Sequence, residues 1–256
     1  PETCPLKPET HIIIIGASGD LTRRKLMPAL FQLYTNDLLP EPFTIFGFAR
    51  TKLDSTGYRE LIRSKLTCRY GEAPADCESK IESFLERCVY HSGNYGSASD
   101  FQALRKRVVA MTDGTCANTI LYMAIPPSIF LETATSIAET ELLDESDGGW
   151  SRVVLEKPFG RDSASSTELL KALSGFFRED QTYRIDHYLG KEVIQNLLIL
   201  RFANIIFEPV WNRNHVDHIS ISWGETIGCE GRAGYFDQYG IIRDVVQNHL
   251  IQMLAL

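Results

Sequence analysis

The sequence predicts an α/β fold, in which a doubly wound parallel sheet is followed by the beginning of an α+β domain. Between about residues 11 and 155, short apolar runs alternate with longer amphipathic stretches. The first apolar run, residues 12–15, is four isoleucines, and a run that is apolar on both faces suits a parallel strand covered by helices. After Gly160 this alternation stops. We therefore expect one domain at 1–160 and a second at 161–256.

In the first domain the predicted elements alternate as strand and helix, which is typical of a Rossmann-type nucleotide-binding sheet. Strands are expected at 12–15, 43–48, 88–91, 119–125 and 152–155. Helices are expected at about 20–34, 55–87, 99–109 and 128–142.

The second domain has a different pattern, with helices expected at 163–177, 190–202 and 235–256 and a half-buried strand at 218–223. Ser163 is a candidate N-cap for the first of these helices. The sequence stops inside the last helix without a glycine or proline to end it. We therefore expect this second domain, the beginning of an α+β domain, to be truncated.

Composition excludes several classes of protein. Lys and Arg number 26 against 33 Asp and Glu, so the formal net charge is −7, whereas proteins that coat nucleic acids carry a basic surplus. The longest uncharged stretch, 114–131, is broken by Pro126 and Pro127 and cannot span a bilayer. No signal peptide is visible at the first residues. We expect a soluble, cytoplasmic protein with neither a nucleic-acid nor a membrane partner.

The cysteines are scattered, with no C-x-x-C pair and no histidine at metal-ligand spacing. An even count allows disulfides, but a chain of this length without a secretion signal favours reduced thiols and no metal site. The six cysteines are Cys4, Cys68, Cys77, Cys88, Cys116 and Cys229.

A glycine-containing loop, GASGDL at 16–21, directly follows the isoleucine strand and opens a helix. Glycines at this point let the backbone approach a pyrophosphate, whose charge then lies at the helix N-terminus. The spacing is G-x-x-G rather than the strict G-x-G-x-x-G, and a tight turn without a ligand is the alternative. The strand before the loop and the helix after it favour dinucleotide binding.

The end of the second strand predicts which dinucleotide is bound. NAD-specific sites place Asp or Glu there to hold the ribose 2′-hydroxyl. Here the strand ends in Arg50 and Thr51, and a guanidinium suits a 2′-phosphate. The alternative is a surface arginine, but its position favours NADP.

Lys157, in the sequence EKPFG at 156–160, follows the strand expected at 152–155. Ligands of such sheets bind beyond the carboxyl ends of the strands, so this lysine is a candidate contact to substrate or nicotinamide. Taken alone, the motif favours the alternative, an exposed lysine before a turn.

Polar and ionisable residues are concentrated in the second domain. The sequence YRIDHYLGKE at 183–192 groups cations, a histidine and a tyrosine around Asp186. Trp223, Gly224 and Glu225 come later, and the sequence IRDVVQNHL at 242–250 places Asp244 and His249 in an apolar helix. A histidine in such a helix is normally a core residue, but the neighbouring Asp, Asn and Gln suit a polar cleft better.

The sequences GASGDL, EKPFGRD, RIDHYLGKE, FANIIFEPVWNR and GRAGYFDQYGIIRDVVQNHLIQ occur in the same order as in the glucose-6-phosphate dehydrogenase family, which this chain resembles over nearly its whole length. Members of that family transfer hydride from C1 of glucose 6-phosphate to NADP, giving 6-phosphogluconolactone and NADPH. The family's subunit is about twice as long as this chain. The resemblance therefore implies that much of the C-terminal domain is missing here, and that the whole enzyme is a homodimer or homotetramer.

The resemblance also implies a role for individual residues. His249 is the expected general base, Asp186 the carboxylate paired with it, and Lys157 a contact between sugar and nicotinamide. The expected substrate-binding residues are His187, Tyr188 and Lys191 for the 6-phosphate, and Glu225 and Asp244 for sugar hydroxyls, together with Lys157. The expected coenzyme-binding residues are Gly16, Ala17, Ser18, Gly19, Asp20, Leu21, Lys25, Arg50, Thr51, Ile125 and Lys157.

Two further points come from the resemblance. The Lys157–Pro158 peptide bond is expected to be cis, because the chain must turn sharply while Lys157 points into a cleft. The sequence departs from the family pattern at Trp223, Thr226 and Ile227 and by extra residues before Trp150.

Two other functions are compatible with parts of the pattern. A sugar or inositol dehydrogenase could share the nucleotide-binding sheet and the lysine of EKP, but it would not need the phosphate-binding cluster at 187–191. An NADP-sensing module without activity would not need Asp186 and His249.

Overall fold

The computed structural model describes residues 8–68, 73–112, 117–145, 148–226, 228–229 and 233–256. Two compact units divide these residues between them. The first comprises the described residues up to Phe159 together with Ser166–Arg184, and the second comprises Gly160–Ser165 and Ile185–Leu256. We describe each unit by itself, and the domain boundary expected at residue 160 stays a prediction.

A six-stranded sheet forms the centre of the first unit, in the order β3-β2-β1-β4-β5-β6. The strands are β1 Glu9–Ile15, β2 Phe43–Ala49, β3 Cys88–Ser92, β4 Ala117–Met123, β5 Ser151–Glu156 and β6 Thr182–Ile185. The β1–β2, β1–β4, β2–β3 and β4–β5 pairs are all parallel. This order, with its reversal beside β1, is that of the dinucleotide-binding fold. The α/β Rossmann-type fold class is therefore confirmed.

Strand β1 is buried on both faces, as its four isoleucines predict. Ile13 and Ile15 pack in one hydrophobic cluster with side chains of the helices on that side, while Ile12 and Ile14 pack in another on the opposite face. Each isoleucine is at most 4% exposed. Burial of this kind contributes about 1.5–3 kcal/mol per side chain, so β1 anchors the whole sheet.

The helices of this unit lie where the sequence predicts them, but several of the predicted helices are split into shorter segments. They are α1 Met27–Thr35, α2 Ser55–Arg63, α3 Pro74–Glu86, α4 Ala98–Met111, α5 Phe130–Ala138 and α6 Ser163–Leu173, the last beginning in the second unit. A π-helical turn, Thr22–Leu26, precedes α1, and a 3₁₀ turn, Pro127–Ile129, precedes α5. The single helical region expected at 55–87 is two helices, because Pro74 suits only the first turn of a helix.

Side-chain caps determine where several helices begin. The Asp54 carboxylate accepts from the Gly57 N–H at 2.8 Å at the start of α2, and Ser97 caps α4. At α6 the prediction was wrong by one residue. Asp162, not Ser163, is the cap, because its carboxylate accepts the Ser165 N–H at 2.8 Å while Ser163 is already helical.

The expectation of reduced thiols is wrong for two cysteines. Cys68 and Cys77 form a disulfide, with their Cα atoms 5.8 Å apart. Cys77 lies in α3, and Cys68 lies five residues after the end of α2. The fold brings them into range although their spacing matches no sequence signature. Cys88 and Cys229 are free thiols, whereas Cys4 and Cys116 lie outside the described residues.

The described part of the second unit consists mainly of helices. These are α7 Glu192–Phe202, α8 Ala233–Ile241, a π-helix Ile242–Leu250 and α9 Ile251–Ala255. The continuous helix expected at 235–256 is therefore wrong in detail, since Gly240 (φ +69°) breaks it and a π-helix follows. The strand expected at 218–223 is also wrong. That segment is irregular, and its apolar Ile219 is 59% exposed, so the alternating pattern has no buried face to match.

Among the described residues, no helix is long and apolar enough to cross a membrane.

Gly47 allows close packing at the centre of the sheet. A Cβ there would lie 2.9 Å from both Ala17 Cβ and Tyr58 Cζ. We expect Gly47→Ala to lower the free energy of unfolding by about 1–3 kcal/mol through overpacking, measured by urea denaturation. The matched control is Gly175→Ala, whose Cβ would meet its nearest atom at 3.4 Å. A Gly47→Ala protein as stable as this control would contradict the packing argument.

The two free thiols in the described part of the chain should differ in reactivity. Burial raises the pKa of the Cys88 thiol to about 12, because the thiolate would be desolvated, whereas Cys229 is exposed. We expect iodoacetamide at about pH 8 to alkylate Cys229 and to leave Cys88 unmodified in the folded protein, since the thiolate is the nucleophile. Peptide mass spectrometry measures both sites, and guanidinium should abolish the difference. Equal labelling of both without denaturant would be the contrary result.

Candidate active site

The residues predicted from the sequence fall into two groups, one in each unit. The first group lies at the carboxyl ends of the parallel strands. Because β1, β2, β4 and β5 run in the same direction, residues that follow these strands share one edge of the sheet. Gly16, Arg50, Ile125 and Lys157 all lie at this edge.

The loop after β1 is formed by a glycine that no other residue can replace without strain. Gly16 has φ +91°, and a Cβ there would collide with the backbone carbonyl of Ala124. Its carbonyl accepts the Gly19 N–H at 2.9 Å and the Thr22 hydroxyl at 3.1 Å. The loop is therefore a compact turn that leads directly into the helix.

The remaining loop residues range from buried to exposed. Ala17 is buried, whereas Gly19, Asp20, Leu21 and Lys25 are exposed on the first turns of the helix. Asp20 pairs with Arg23, three residues further on. These residues leave the helix N-terminus accessible to an anion.

Arg50 and Thr51 lie beside this loop. The Ser18 and Thr51 hydroxyls form a 2.8 Å hydrogen bond, and Tyr90 donates its hydroxyl to the Thr51 carbonyl at 2.7 Å. The Arg50 guanidinium is exposed, with its Cζ 5.3 Å from the ring centroid of Tyr95, at cation–π distance. A positive group is thus held next to the nucleotide loop, as the NADP hypothesis requires.

Ile125 and Lys157 complete this edge of the sheet. Ile125 is 6% exposed, and its Cγ2 would lie 3.0 Å from a Cβ on Gly16. Lys157 is partly buried after β5, and the predicted cis bond between Lys157 and Pro158 is confirmed. The preceding Glu156 accepts the Tyr122 hydroxyl at 2.5 Å, and burial together with this carboxylate raises the pKa of the tyrosine.

The second group centres on Asp186 and His249. His249 Nδ1 lies 2.8 Å from Asp186 Oδ1, and the same oxygen accepts the Tyr188 backbone N–H at 3.0 Å. His249 is 2% exposed. A carboxylate on Nδ1 favours the Nδ1–H tautomer of the neutral imidazole, in which Nε2 is the nitrogen that can accept a proton.

The π-helix changes the relative directions of two predicted residues. Asp244 and His249 are five residues apart and both are buried. In an α-helix this spacing would place them on different faces, whereas the wider turn of a π-helix brings them nearer to one face. The sequence predicts a helix here but carries no signal for this form.

Aromatic stacking surrounds the histidine. The Tyr188 and His249 rings lie 3.9 Å apart between centroids at an angle of 13°, and the Lys191 ammonium lies 3.6 Å from the Tyr188 centroid. His187 is exposed, with its ring 4.9 Å from that of His249. Tyr188, Lys191 and His187 therefore place hydrogen-bond donors and positive charge in one small region, which suits an anion.

A cavity of about 220 Å³ adjoins this group in the same unit. Both predicted sugar-binding carboxylates, Glu225 and Asp244, line it. Trp223 lines it as well, and its Nε1–H donates to the Tyr188 hydroxyl at 2.6 Å. The cavity can take a small polyhydroxylated molecule through carboxylate acceptors.

Metal binding is geometrically conceivable at one point of this unit. Ligand atoms of Asp186, His187 and His249 all lie within 4.8 Å of one another. The hydrogen bond between Asp186 and His249 already engages one atom of each, and the Lys191 ammonium is close by, so the arrangement suits proton transfer better than a cation. The absence of a metal stays a prediction.

Three aromatic residues of these groups were not among the predicted site residues. Tyr90 and Tyr95 lie in and after β3, and the sequence gives Trp223 no role in binding although it precedes Glu225 by two residues. Their positions depend on tertiary contacts between distant segments. The sequence alone offers no pattern that assigns them to a site.

Comparison with known proteins agrees with these arrangements. Residues 13–196 match the family described as "Glucose-6-phosphate dehydrogenase, NAD binding domain", and residues 198–256 match "Glucose-6-phosphate dehydrogenase, C-terminal domain". The chain is similar to glucose-6-phosphate 1-dehydrogenase 1, chloroplastic, of Arabidopsis thaliana, with 49% identity over 245 residues, covering 96% of this chain and 42% of that protein. It is also similar to the chloroplastic enzyme of Spinacia oleracea, with 47% identity, covering 100% and 44%.

A solved structure described as glucose-6-phosphate dehydrogenase in complex with its substrate glucose-6-phosphate superposes with a TM-score of 0.88. It shares 41% identity, and the match covers 97% of this chain and 51% of that one. The chain thus spans about half the length of the relatives it matches. The two family matches and the identity to these relatives together show that the chain belongs to the glucose-6-phosphate dehydrogenase family.

Proposed function

We propose that this chain supplies the coenzyme-binding part and much of the catalytic part of an NADP-dependent glucose-6-phosphate dehydrogenase. The reaction would convert glucose 6-phosphate and NADP into 6-phosphogluconolactone, NADPH and a proton. The observation that carries the proposal is the hydrogen-bonded pair of the buried His249 and the partly buried Asp186, in the same unit as the Tyr188–Lys191 region and the carboxylate-lined cavity.

The coenzyme proposal rests on the edge of the sheet in the first unit. Gly16, Ala17, Ser18, Gly19, Asp20, Leu21 and Lys25 would receive the pyrophosphate at the helix N-terminus. Arg50 and Thr51 would hold the 2′-phosphate, with a guanidinium in the position that a carboxylate occupies in NAD-specific sites. Ile125 would give an apolar contact, and Lys157 would contact nicotinamide and substrate.

The substrate proposal rests on the second unit. His187, Tyr188 and Lys191 would bind the 6-phosphate through donors and positive charge. Glu225 and Asp244 would accept hydrogen bonds from sugar hydroxyls at the cavity that both line. A hexose carrying one phosphate matches this pairing of an anion site with carboxylate acceptors.

The catalytic step requires a base, because the hemiacetal hydroxyl keeps its proton at neutral pH. His249 Nε2 would accept the proton from the 1-hydroxyl as C1 gives its hydride to the nicotinamide. Asp186 would orient the ring and stabilise the imidazolium that forms, since its oxygen already accepts the Nδ1–H.

The proposal also covers the oligomeric state and the cellular location of the whole enzyme. We expect the whole enzyme to be a dimer or tetramer in the cytoplasm, although the two plant relatives are named chloroplastic. Size-exclusion chromatography with light scattering measures the first expectation, and cell fractionation measures the second.

Substrate comparison tests the function directly. NADPH formation at its absorbance band is followed with glucose 6-phosphate, unphosphorylated glucose and myo-inositol in the longest natural form of the protein that contains this chain. We expect glucose 6-phosphate to be preferred strongly. Preference for unphosphorylated glucose or inositol would favour the related sugar dehydrogenases, and NADP binding without turnover would favour a sensing module.

Arg50 should select the coenzyme. Its replacement in Arg50→Ala removes a charged hydrogen bond to the 2′-phosphate, of about 1.5–3 kcal/mol. We expect the KM for NADP to rise at least about tenfold while that for NAD changes little. The matched control, Lys52→Ala, removes an exposed cation two residues away and should leave both values unchanged. An equal rise for NAD and NADP would mean that Arg50 supports the strand end rather than the phosphate.

His249 should act as the base. We expect His249→Asn to lower kcat by at least about 10²-fold, the low end of general-base effects, with nearly normal binding of substrate and NADP. Asp186→Asn should act in the same direction, and the double variant should lose less than the sum, since the pair works as a unit. Single-turnover kinetics measure this, with the exposed His218→Asn as control. Hydride transfer at the wild-type rate in His249→Asn would place the base elsewhere.

A further inference from the structure

Trp223 connects the two halves of the proposed substrate site. It is partly buried in the irregular segment before Glu225, and its indole Nε1–H donates to the Tyr188 hydroxyl oxygen at 2.6 Å. We propose that Trp223 is a positioning residue, which orients the Tyr188 hydroxyl towards the 6-phosphate and thereby favours phosphorylated over unphosphorylated hexose. This inference rests on the proposed function and extends it to a residue that departs from the family pattern.

The direction of the hydrogen bond between Trp223 and Tyr188 determines where the Tyr188 hydroxyl hydrogen can point. An indole N–H can only donate, so the Tyr188 oxygen must be the acceptor. The hydroxyl has one hydrogen of its own, which is thereby directed to a further acceptor. Phosphate oxygens are such acceptors. Donation into the phenol oxygen also polarises its O–H and strengthens the bond that the hydrogen can make.

The Tyr188 ring is fixed on several sides. Its ring is stacked on His249 at 3.9 Å, and the Lys191 ammonium lies 3.6 Å from the same centroid. Two groups so close to one centroid cannot share a face, so they enclose the ring from both sides. The indole of Trp223 then holds the ring at its hydroxyl. Without that last contact, the hydroxyl hydrogen could rotate even though the ring could not.

Trp223 also belongs to the cavity proposed to bind the sugar. Trp223 lines the cavity of about 220 Å³ together with Glu225 and Asp244, the residues whose carboxylates are proposed for the sugar hydroxyls. One side chain thus contacts both the sugar cavity and the phosphate donor. A hexose without its phosphate would leave the oriented hydroxyl unpaired, and a site built to hydrogen-bond a group rejects an analogue that lacks it.

The experiment is a double-mutant cycle of Trp223→Phe and Tyr188→Phe in the longest natural form of the protein. Trp223→Phe keeps an aromatic ring in place but removes the N–H, and Tyr188→Phe breaks the same hydrogen bond from the other side. KM and kcat are measured for glucose 6-phosphate and for unphosphorylated glucose. Trp211→Phe, an exposed tryptophan of the same unit, is the matched control.

We expect Trp223→Phe to raise the KM for glucose 6-phosphate about threefold to tenfold, the loss of one hydrogen bond, with kcat nearly unchanged. Kinetics with unphosphorylated glucose should not change, and Trp223→Phe should add nothing in the Tyr188→Phe background. An equal loss with glucose would show a merely structural role. Additive effects in the cycle, or a Trp223→Phe enzyme identical to wild type, would also overturn the inference.

A second readout separates this inference from the proposed function. Equilibrium binding of glucose 6-phosphate and of inorganic phosphate is measured by calorimetry for the same variants. Should the wild type bind glucose 6-phosphate without oxidising it, the proposed activity fails while the cycle in Kd still decides the role of Trp223. If the wild-type protein bound neither glucose 6-phosphate nor inorganic phosphate, both the proposed function and the inference about Trp223 would be contradicted.

Discussion

A single carboxylate oxygen, Asp186 Oδ1, accepts hydrogen bonds from two groups of the second unit. The positions of these two groups determine the geometry of the candidate site in that unit. One is His249 Nδ1, which is fixed as a donor, and the other is the Tyr188 backbone N–H. Because both bonds end on one atom, the imidazole and the Tyr188 backbone are held in a fixed relation. Ring stacking, the Lys191 ammonium and the Trp223 indole all depend on where Tyr188 lies. This carboxylate therefore links the histidine and the Tyr188–Lys191 region through one atom.

The sheet and its ligand-binding edge could be predicted from sequence because the relevant signals are local or follow from parallel topology. Four consecutive isoleucines predict burial on both faces, and the structure confirms it. Once the strands are parallel, Gly16 and Arg50 must lie at the same edge, although 33 residues separate Ser18 from its hydrogen-bond partner Thr51. The adjacency of Asp186 and His249 came from the family resemblance, because no local pattern joins residues 63 apart.

The features that sequence did not predict depend on backbone geometry or on contacts between distant segments. The π-helix that contains Asp244 and His249 differs from an α-helix in hydrogen bonding, not in residue pattern. The helix breaks at Gly240 because this residue has a positive φ. The apolar periodicity of the sequence continues across Gly240 and therefore does not reveal the break. The Cys68–Cys77 disulfide and the Trp223–Tyr188 hydrogen bond each need tertiary proximity. The segment 218–223 alternates as a strand would, yet it is irregular and exposes Ile219.

The isoleucine run also has a consequence for strand pairing. A slip of one residue normally moves an apolar set to the wrong face, and that penalty enforces register. Within residues 12–15 a slip exchanges one isoleucine for another, so hydrophobicity discriminates weakly between neighbouring alignments. The end of the strand does discriminate between alignments, because only a glycine fits there against the Ala124 carbonyl. Displacing the strand would bring Ile15 or Ala17 to that point. Gly16 therefore fits the observed alignment of β1 with β4, and a substitution made there to disturb the loop would also disturb the packing of the two strands.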